Sequence, residues 1–282
     1  MNSPNFGKNG IKTKWTEIDY NNHIKTASLS MPTKYLHQKN SLMKLRPCSS
    51  FTAFIFILLV PLGARGKNII VILSDDHRYD FMSFMEESPE FLETPNLDRL
   101  AAEGAHLTNA FVSTSLCSPS RASILTGQYM RNHRVVDNQR PVPEGTMFFP
   151  KYLQEAGYQT GYVGKWHMGH EDDTPRKGFD HWVSFAGQGT YFDPTFNING
   201  KRKSFKGYNA DLLTDQAISW LNQVSKPNKK KKPFFLQIGY KAVHYPFQPP
   251  PRHAERYSDK KIDYPETMAN TEENYQTQSN WI

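Results

Sequence analysis

Asn68-Ile-Ile-Val-Ile-Leu-Ser74, followed at once by Asp75-Asp76, decides the fold. Five consecutive branched apolar residues without polar alternation form the pattern of a parallel strand covered on both faces. Two more stretches repeat it. Residues 158–163 read as a strand after a short helix over 149–156 that Gly157 closes. Phe234-Phe-Leu-Gln-Ile-Gly-Tyr240 reads as a buried strand after an amphipathic helix over 211–221 and a polar, solvated loop around Lys229 to Lys232. Residues 95–102, with proline in the first turn, Leu97, Leu100 and Ala101 on one face and Gly104 as the stop, read as another helix. Strands separated by helices imply parallel β-α-β units, hence an α/β fold.

The charge balance looks basic and is not. The 282-residue chain carries 34 Lys and Arg against 27 Asp and Glu, but residues 1–66 hold nine of the basic and two of the acidic side chains, leaving 25 of each sign over 67–282. A neutral globular part gives no electrostatic footprint for nucleic acid. Two cysteines, Cys48 and Cys117, exclude a disulfide scaffold, and no Cys-x-x-Cys pair offers a zinc knuckle.

The basic excess belongs to a leader. Met43-Lys-Leu-Arg46, an apolar run over 51–62 and the small residues Gly63-Ala64 follow the order of a secretory signal peptide, and the run is too short to span a bilayer comfortably. Cys48 precedes that run, which excludes a lipoprotein. The competing readings of the segment are a signal anchor or a buried strand. The expectation is therefore an upstream extension over 1–42, disordered or lying before the true start at Met43 or Met31, a signal peptide over 43–66, a mature chain over 67–282 exported to the periplasm or the extracellular space, and no stable membrane span.

In open α/β sheets ligands gather beyond the carboxyl ends of the strands, and three of the expected strands end in chemically active residues. The first delivers Asp75-Asp76, whose repulsion a cation would relieve; the plain alternative is a turn or a helix cap. The second delivers Lys165-Trp166-His167, where a spacing of two sets ammonium and imidazole on one side of an extended chain, though Lys165 can equally be a surface residue. The third delivers His244-Tyr245-Pro246, with a structural histidine as the alternative. Gly164-Lys165 is no phosphate-binding loop, because Gln159 and Trp166 stand where glycine and serine or threonine are required.

A fourth constellation is Cys117-Ser-Pro-Ser-Arg121-Ala-Ser-Ile-Leu125-Thr-Gly127. Pro119 suits a first helical turn and Gly127 the far end, so Cys117 stands at a helix N-terminus with Arg121 four residues on, an arrangement suited to an anion. As chemistry alone this is a reactive cysteine over a tetrahedral-anion pocket, with a buried inert cysteine as the alternative.

These residues resemble the type I sulfatases, in which the signature cysteine is oxidised to Cα-formylglycine. The resemblance extends in order through Asp75-Asp76, Thr94-Pro-Asn-Leu-Asp98, Gly164-Lys-Trp-His167 and His244-x-Pro246, and covers nearly all of 67–250. It implies an alkaline-phosphatase-like α/β fold, a mixed or parallel sheet with helices on both faces. It also implies a divalent cation, Ca²⁺ or alternatively Mg²⁺, held by Asp75, Asp76 and the oxidised Cys117, and maturation by a formylglycine-generating enzyme. By the same resemblance a hydroxyl of the aldehyde hydrate at residue 117 attacks sulfur, Arg121 and Lys165 neutralise the sulfate, His244 protonates the leaving alcohol and His167 takes the remaining diol proton.

His133-Arg-Val-Val-Asp137 and residues 187–205, with Tyr191-Phe-Asp-Pro194, look most like N-acetylglucosamine-6-sulfatases and mucin-desulfating enzymes, so the implied substrate is a sulfated sugar stacked on aromatics such as Trp182, Phe185, Tyr191 and Phe192. The competing functions are a phosphate or phosphonate ester hydrolase of the same superfamily and an inactive fragment. The latter is raised by a departure from the family: the later Asp with Asn or His metal pair and the second lysine have no counterpart, since Asp259 and Asp263 lie in a polar tail, so the expected product is the N-terminal part of a sulfatase domain with the C-terminal part missing.

Overall fold

The computed structural model describes residues 66–226, 232–262, 268 and 271–276. The upstream extension, the signal segment apart from Gly66, Lys229 and Asp263 lie outside the described residues. Among the described residues no helix is long and apolar enough to cross a membrane.

Among the described residues six strands form one mixed sheet in the order β1-β6-β2-β3-β4-β5: β1 (Ile69–Leu73), β2 (Gln159–Lys165), β3 (His181–Phe185), β4 (Thr195–Ile198), β5 (Lys201–Ser204) and β6 (Phe234–Gly239). The first four in that order run parallel, and β4 and β5 are antiparallel additions. The helices are α1 (Pro95–Glu103), α2 (Cys117–Thr126), α3 (Met130–His133), α4 (Pro150–Glu155), α5 (Asn209–Val224) and α6 (Glu272–Tyr275).

Side-chain alternation assigns the two faces. On β2, Val163 joins a core with Val183, Phe196, Leu236 and Ile238 beneath α5, while Tyr162 points the other way into a core with Trp166, Trp182, Ala122 and Leu125 of α2. Helix α5 turns one stripe inward, Asn209, Leu213, Ala217 and Trp220, at the helical spacing that buries a single face. Leu213 is fully buried, and a side chain so placed contributes about 1.5–3 kcal/mol. Phe149, which precedes α4, packs edge-on against Phe235 at 5.1 Å. Helices therefore cover both faces of the sheet's centre.

Several details differ from the sequence reading. Among the described residues β1 is not covered on both faces: it pairs only with β6, at the edge of the sheet, and Ile70 and Ile72 are 48% and 61% exposed. The hydrophobic run sets the strand's character, but no described element packs over it. Helix α1 likewise buries none of its residues, and Gly104 ends it with φ −124 instead of a left-handed turn. The antiparallel β4–β5 hairpin was hidden within 187–205, yet its Asn199-Gly200 turn, with φ of 50 and 91, is a strong short-range hairpin signal.

The Thr94-Pro-Asn-Leu-Asp98 motif is structural in this chain. Asp98 accepts hydrogen bonds from Thr94 Oγ1 (2.8 Å) and Ser83 Oγ (2.8 Å), while the Ser83 amide donates to Thr94 Oγ1 (2.8 Å). That closed set ties the loop after β1 to the start of α1, the end of the helix where the backbone amides also favour an acid.

Candidate active site

The carboxyl ends of β1, β2 and β6 and the first turn of α2 enclose an open cleft of about 620 Å³, lined among others by Asp75, Asp76, Cys117, Arg121, Asn138 and His244. Helix α2 forms as its sequence dictates, with Pro119 in the first turn and Gly127 closing it at φ 67, its amide bonded to the Ser123 carbonyl. Cys117 is thereby fixed at the positive end of the helix dipole, half-buried, with Sγ 3.6 Å from Asp75 Oδ1 and 3.7 Å from Lys165 Nζ.

Buried charges converge beneath it. The Lys165 ammonium, fully buried, pairs with Asp75 and also donates to Gln188 Oε1. Arg121 Nη2 lies 3.7 Å from Asp75 Oδ2, and Nη1 donates to the Lys165 carbonyl at 2.7 Å. Space for the guanidinium comes from Gly239, and Gly164, its partner across β2 and β6, lets the two strands approach. A Cβ on Gly164, at φ 125, would collide with the Gly239 carbonyl, and one on Gly239 would stand 3.0 Å from Arg121 Nη1. Burial alone would raise the Asp75 pKa, but Arg121, Lys165 and His244 together outweigh it and hold the carboxyl below its ordinary value. Burial raises the Cys117 pKa against the pull of Lys165, so the group is a thiol at neutral pH.

Two buried cations, Arg121 and Lys165, converge on one buried carboxylate, a local positive excess at the floor suited to an anion, while the second acid of the lining, Asp76, is half-exposed. A sulfatase family model matches residues 67–281. The chain belongs to the sulfatase family. It is 40% identical over 192 residues to the N-acetylglucosamine-6-O-sulfatase of Bacteroides thetaiotaomicron, covering 67% of this chain and 33% of that protein. It is 32% identical over 220 residues to the mouse arylsulfatase J, covering 69% and 35%. Among solved structures, an enzyme in complex with its substrate D-glucosamine-2-N,6-O-disulfate superposes with a TM-score of 0.64 at 38% identity, covering 71% of this chain and 39% of that one. This sulfatase chain thus spans about a third of the length of these curated relatives.

The expected site residues fall into two groups. Asp75, Asp76, Cys117, Arg121 and His244 line the cleft, and Lys165 reaches its floor through Asp75 and Cys117. His167 does not line it. The chain leaves the extended conformation at His167 (φ 53), so the alternation of an extended strand does not by itself fix where its ring points. His167 is 2% exposed, its carbonyl accepts from Ser118 Oγ, and its Nδ1 has no protein partner. Asn138, which accepts from the Ser118 amide at 3.0 Å, and Gln188 were not legible, because neither lies in a pattern with a chemical reading. Lys241 was legible in principle: it stands just past β6, three residues before His244.

A divalent cation suits part of this donor set. One ligand atom each from Asp75, Cys117 and His244 lie within 4.8 Å of one another, and Asp76 Oδ2 is 3.6 Å from His244 Nε2. Carboxylate oxygens fit a hard cation such as Ca²⁺ or Mg²⁺; a thiol does not, whereas an oxygen at residue 117 would.

His167 carries a pH signature. Burial, with Lys165 and Arg121 adding to it, lowers its pKa from 6.5 to about 3. Between those values the unfolded chain binds a proton that the native state refuses, so stability falls as pH drops from 6.5 towards 3. Burial shifts His133 and His181 the same way. Asp75, depressed below 3.8, contributes stability that is present above that value and lost as pH falls further. Urea midpoints are expected to decline steadily from pH 6.5 to 4, with a shallower slope for His167→Gln; a flat wild-type profile over that window contradicts the assignment.

Proposed function

We propose that this chain contributes to hydrolysis of a sulfate ester on a carbohydrate, N-acetylglucosamine 6-sulfate being the favoured unit, through a formylglycine made from Cys117 by a maturing enzyme. The observation that carries the reading is Cys117 at the N-terminus of α2, within 4 Å of both Asp75 and Lys165 and beside buried Arg121. An unmodified thiol with a raised pKa is a poor nucleophile, so cysteine chemistry as such has little support. The resemblance to enzymes acting on glucosamine sulfates favours the sugar.

A divalent cation, Ca²⁺ by family preference, would be held by Asp75, Asp76 and the oxygen of residue 117, and would supply charge neutralisation and acidify a hydroxyl. The chain's own residues do the rest. Arg121 and Lys165 hold the sulfate oxygens by charge, a preorganised task in a buried setting. One hydroxyl of the aldehyde hydrate, acidified by the cation and with its proton released to solvent, would bond to sulfur as the sulfur–alkoxide bond breaks, and His244, as the imidazolium, would give the alkoxide its Nε2 proton. The second hydroxyl then loses its proton to His167, the aldehyde re-forms and the carbon–oxygen bond to sulfate breaks, so water never attacks sulfur. His167 is neutral and its Nδ1 has no protein partner among the described residues, so it is free to accept; burial is the main cause of its lowered basicity, and a bound sulfate would offset the smaller contributions of Lys165 and Arg121. The signal-like segment 43–66 supports export as the setting.

The test is sulfate release from N-acetylglucosamine 6-sulfate by protein produced with a formylglycine-generating enzyme, compared with phosphate release from the matching 6-phosphate. Faster turnover of the sulfate by at least tenfold is expected. Preference for the phosphate, or no turnover of either, contradicts the reading.

A further inference from the structure

His244 is held in one tautomer. Its Nδ1 lies 2.7 Å from the Tyr245 carbonyl oxygen, and a carbonyl oxygen only accepts, so Nδ1 carries the proton. Nε2 is then the nitrogen turned to the cleft, 3.6 Å from Asp76 Oδ2. The loop that bears this ring is exposed at Tyr245 and Phe247 and needs something to fix it.

Two groups do so from behind. The Tyr191 hydroxyl donates to the His244 carbonyl, and the Lys241 ammonium reaches the Tyr245 carbonyl at 3.4 Å. Tyr191 is itself anchored: its carbonyl accepts from the Asn209 amide at 2.7 Å, at the start of α5, and its ring stacks on Tyr208 at 5.9 Å. Lys241 is only 3% exposed, and among the described residues it makes no ion pair. Its nitrogen sits 4.8 Å from the centre of the Tyr191 ring. Burying an ammonium without a carboxylate partner is costly, and here the ring's negative face and a carbonyl oxygen offset the cost.

We propose that Tyr191 and Lys241 are positioning residues for His244: they hold the carbonyls of His244 and Tyr245 so that the ring always donates from Nδ1, and Nε2 is the nitrogen that takes up the second proton and gives it to the oxygen of the departing alcohol. The Tyr245 carbonyl receives both Lys241 and the ring, so it couples the buried cation to the tautomer. Burial pushes the Tyr191 hydroxyl up to about 12, which keeps it a donor across the working pH range. The proposal rests on the assignment of His244 as the acid for the leaving group, but its test does not depend on turnover.

The test is NMR of isotope-labelled histidine in chelator-treated full-length chain, at a pH where the imidazole is neutral. Wild-type His244 is expected as the Nδ1–H tautomer. Tyr191→Phe keeps the ring, its stacking and its face towards Lys241, so the fold stands, and is expected to shift the tautomer ratio about five- to tenfold towards Nε2–H, the scale set by one lost hydrogen bond. Lys241→Met is expected to shift it the same way and Lys241→Arg to restore it. Lys206→Met, on an exposed lysine paired with Asp193, is expected to leave it unchanged. An Nε2–H tautomer in the wild type, or an unchanged ratio in both Tyr191→Phe and Lys241→Met, overturns the proposal. Loss of sulfate release with the tautomer effects intact would count against the function alone.

Discussion

Asp75→Ala is expected to lower the unfolding free energy by about 3–5 kcal/mol, the cost of leaving buried charge uncompensated. Lys165 is fully buried and Arg121 nearly so, and Asp75 is the carboxylate that both approach. Removing it strands two cations in a site packed between the ends of β1, β2 and β6. Asp75→Asn keeps the shape and the acceptor oxygen but not the charge, so its loss should be smaller. Urea unfolding of the two variants against wild type at neutral pH measures both. A change under about 1 kcal/mol for Asp75→Ala would mean that the cations are solvated or neutralised elsewhere, and the account of a positive floor balanced by one acid would fail. Saturating sulfate is expected to recover part of the lost stability, because an anion that binds only the folded state stabilises it by mass action.

Cys117→Ser is expected to lower turnover by roughly a thousandfold or more in protein that releases sulfate, the scale of losing a nucleophile that acts in concert with its neighbours. The serine hydroxyl can still receive the sulfuryl group as the alcohol departs. It lacks the geminal hydroxyl whose deprotonation re-forms an aldehyde and expels sulfate, so the sulfate ester stays on residue 117. Intact-mass measurement after a single exposure to substrate should show one added sulfate, stable to dilution, while Arg121→Met, which removes a sulfate-holding cation, should show none. Ordinary turnover by Cys117→Ser would exclude elimination from a hydrated aldehyde.

Much of the fold was legible because its signals are local. The apolar runs of β1 and β6, the stripe on α5 and the Pro119 and Gly127 boundaries of α2 follow from burial and backbone geometry that act within a few residues. What escaped depended on partners distant in the chain. The run at β1 reads as fully buried, yet its exposure depends on what packs beside it, and that lies outside the strand's own sequence. The β4–β5 hairpin carried a readable Asn-Gly turn, but β5 itself is Lys-Arg-Lys-Ser, a solvent-exposed strand with no apolar alternation.

The site shows the same division. Asp75, Cys117 and His244 announce themselves by type at strand or helix ends, and the fold gathers them. Gln188 and Asn138 act through single hydrogen bonds across more than twenty residues or close to it, which no spacing encodes. His167 is a different case: its type and spacing point to chemistry, while its burial, which keeps the imidazole neutral, is set by residues far from it in the chain.

The central claim is that residue 117 works as an oxidised side chain held over a cationic floor. Mass spectrometry of the peptide carrying residue 117, taken from protein that releases sulfate, tests it most directly. The predicted result is the mass of an aldehyde, or its hydrate, in place of the thiol, with reactivity towards a carbonyl reagent at that residue. An unmodified Cys117 thiol in protein with full sulfate-releasing activity would contradict it.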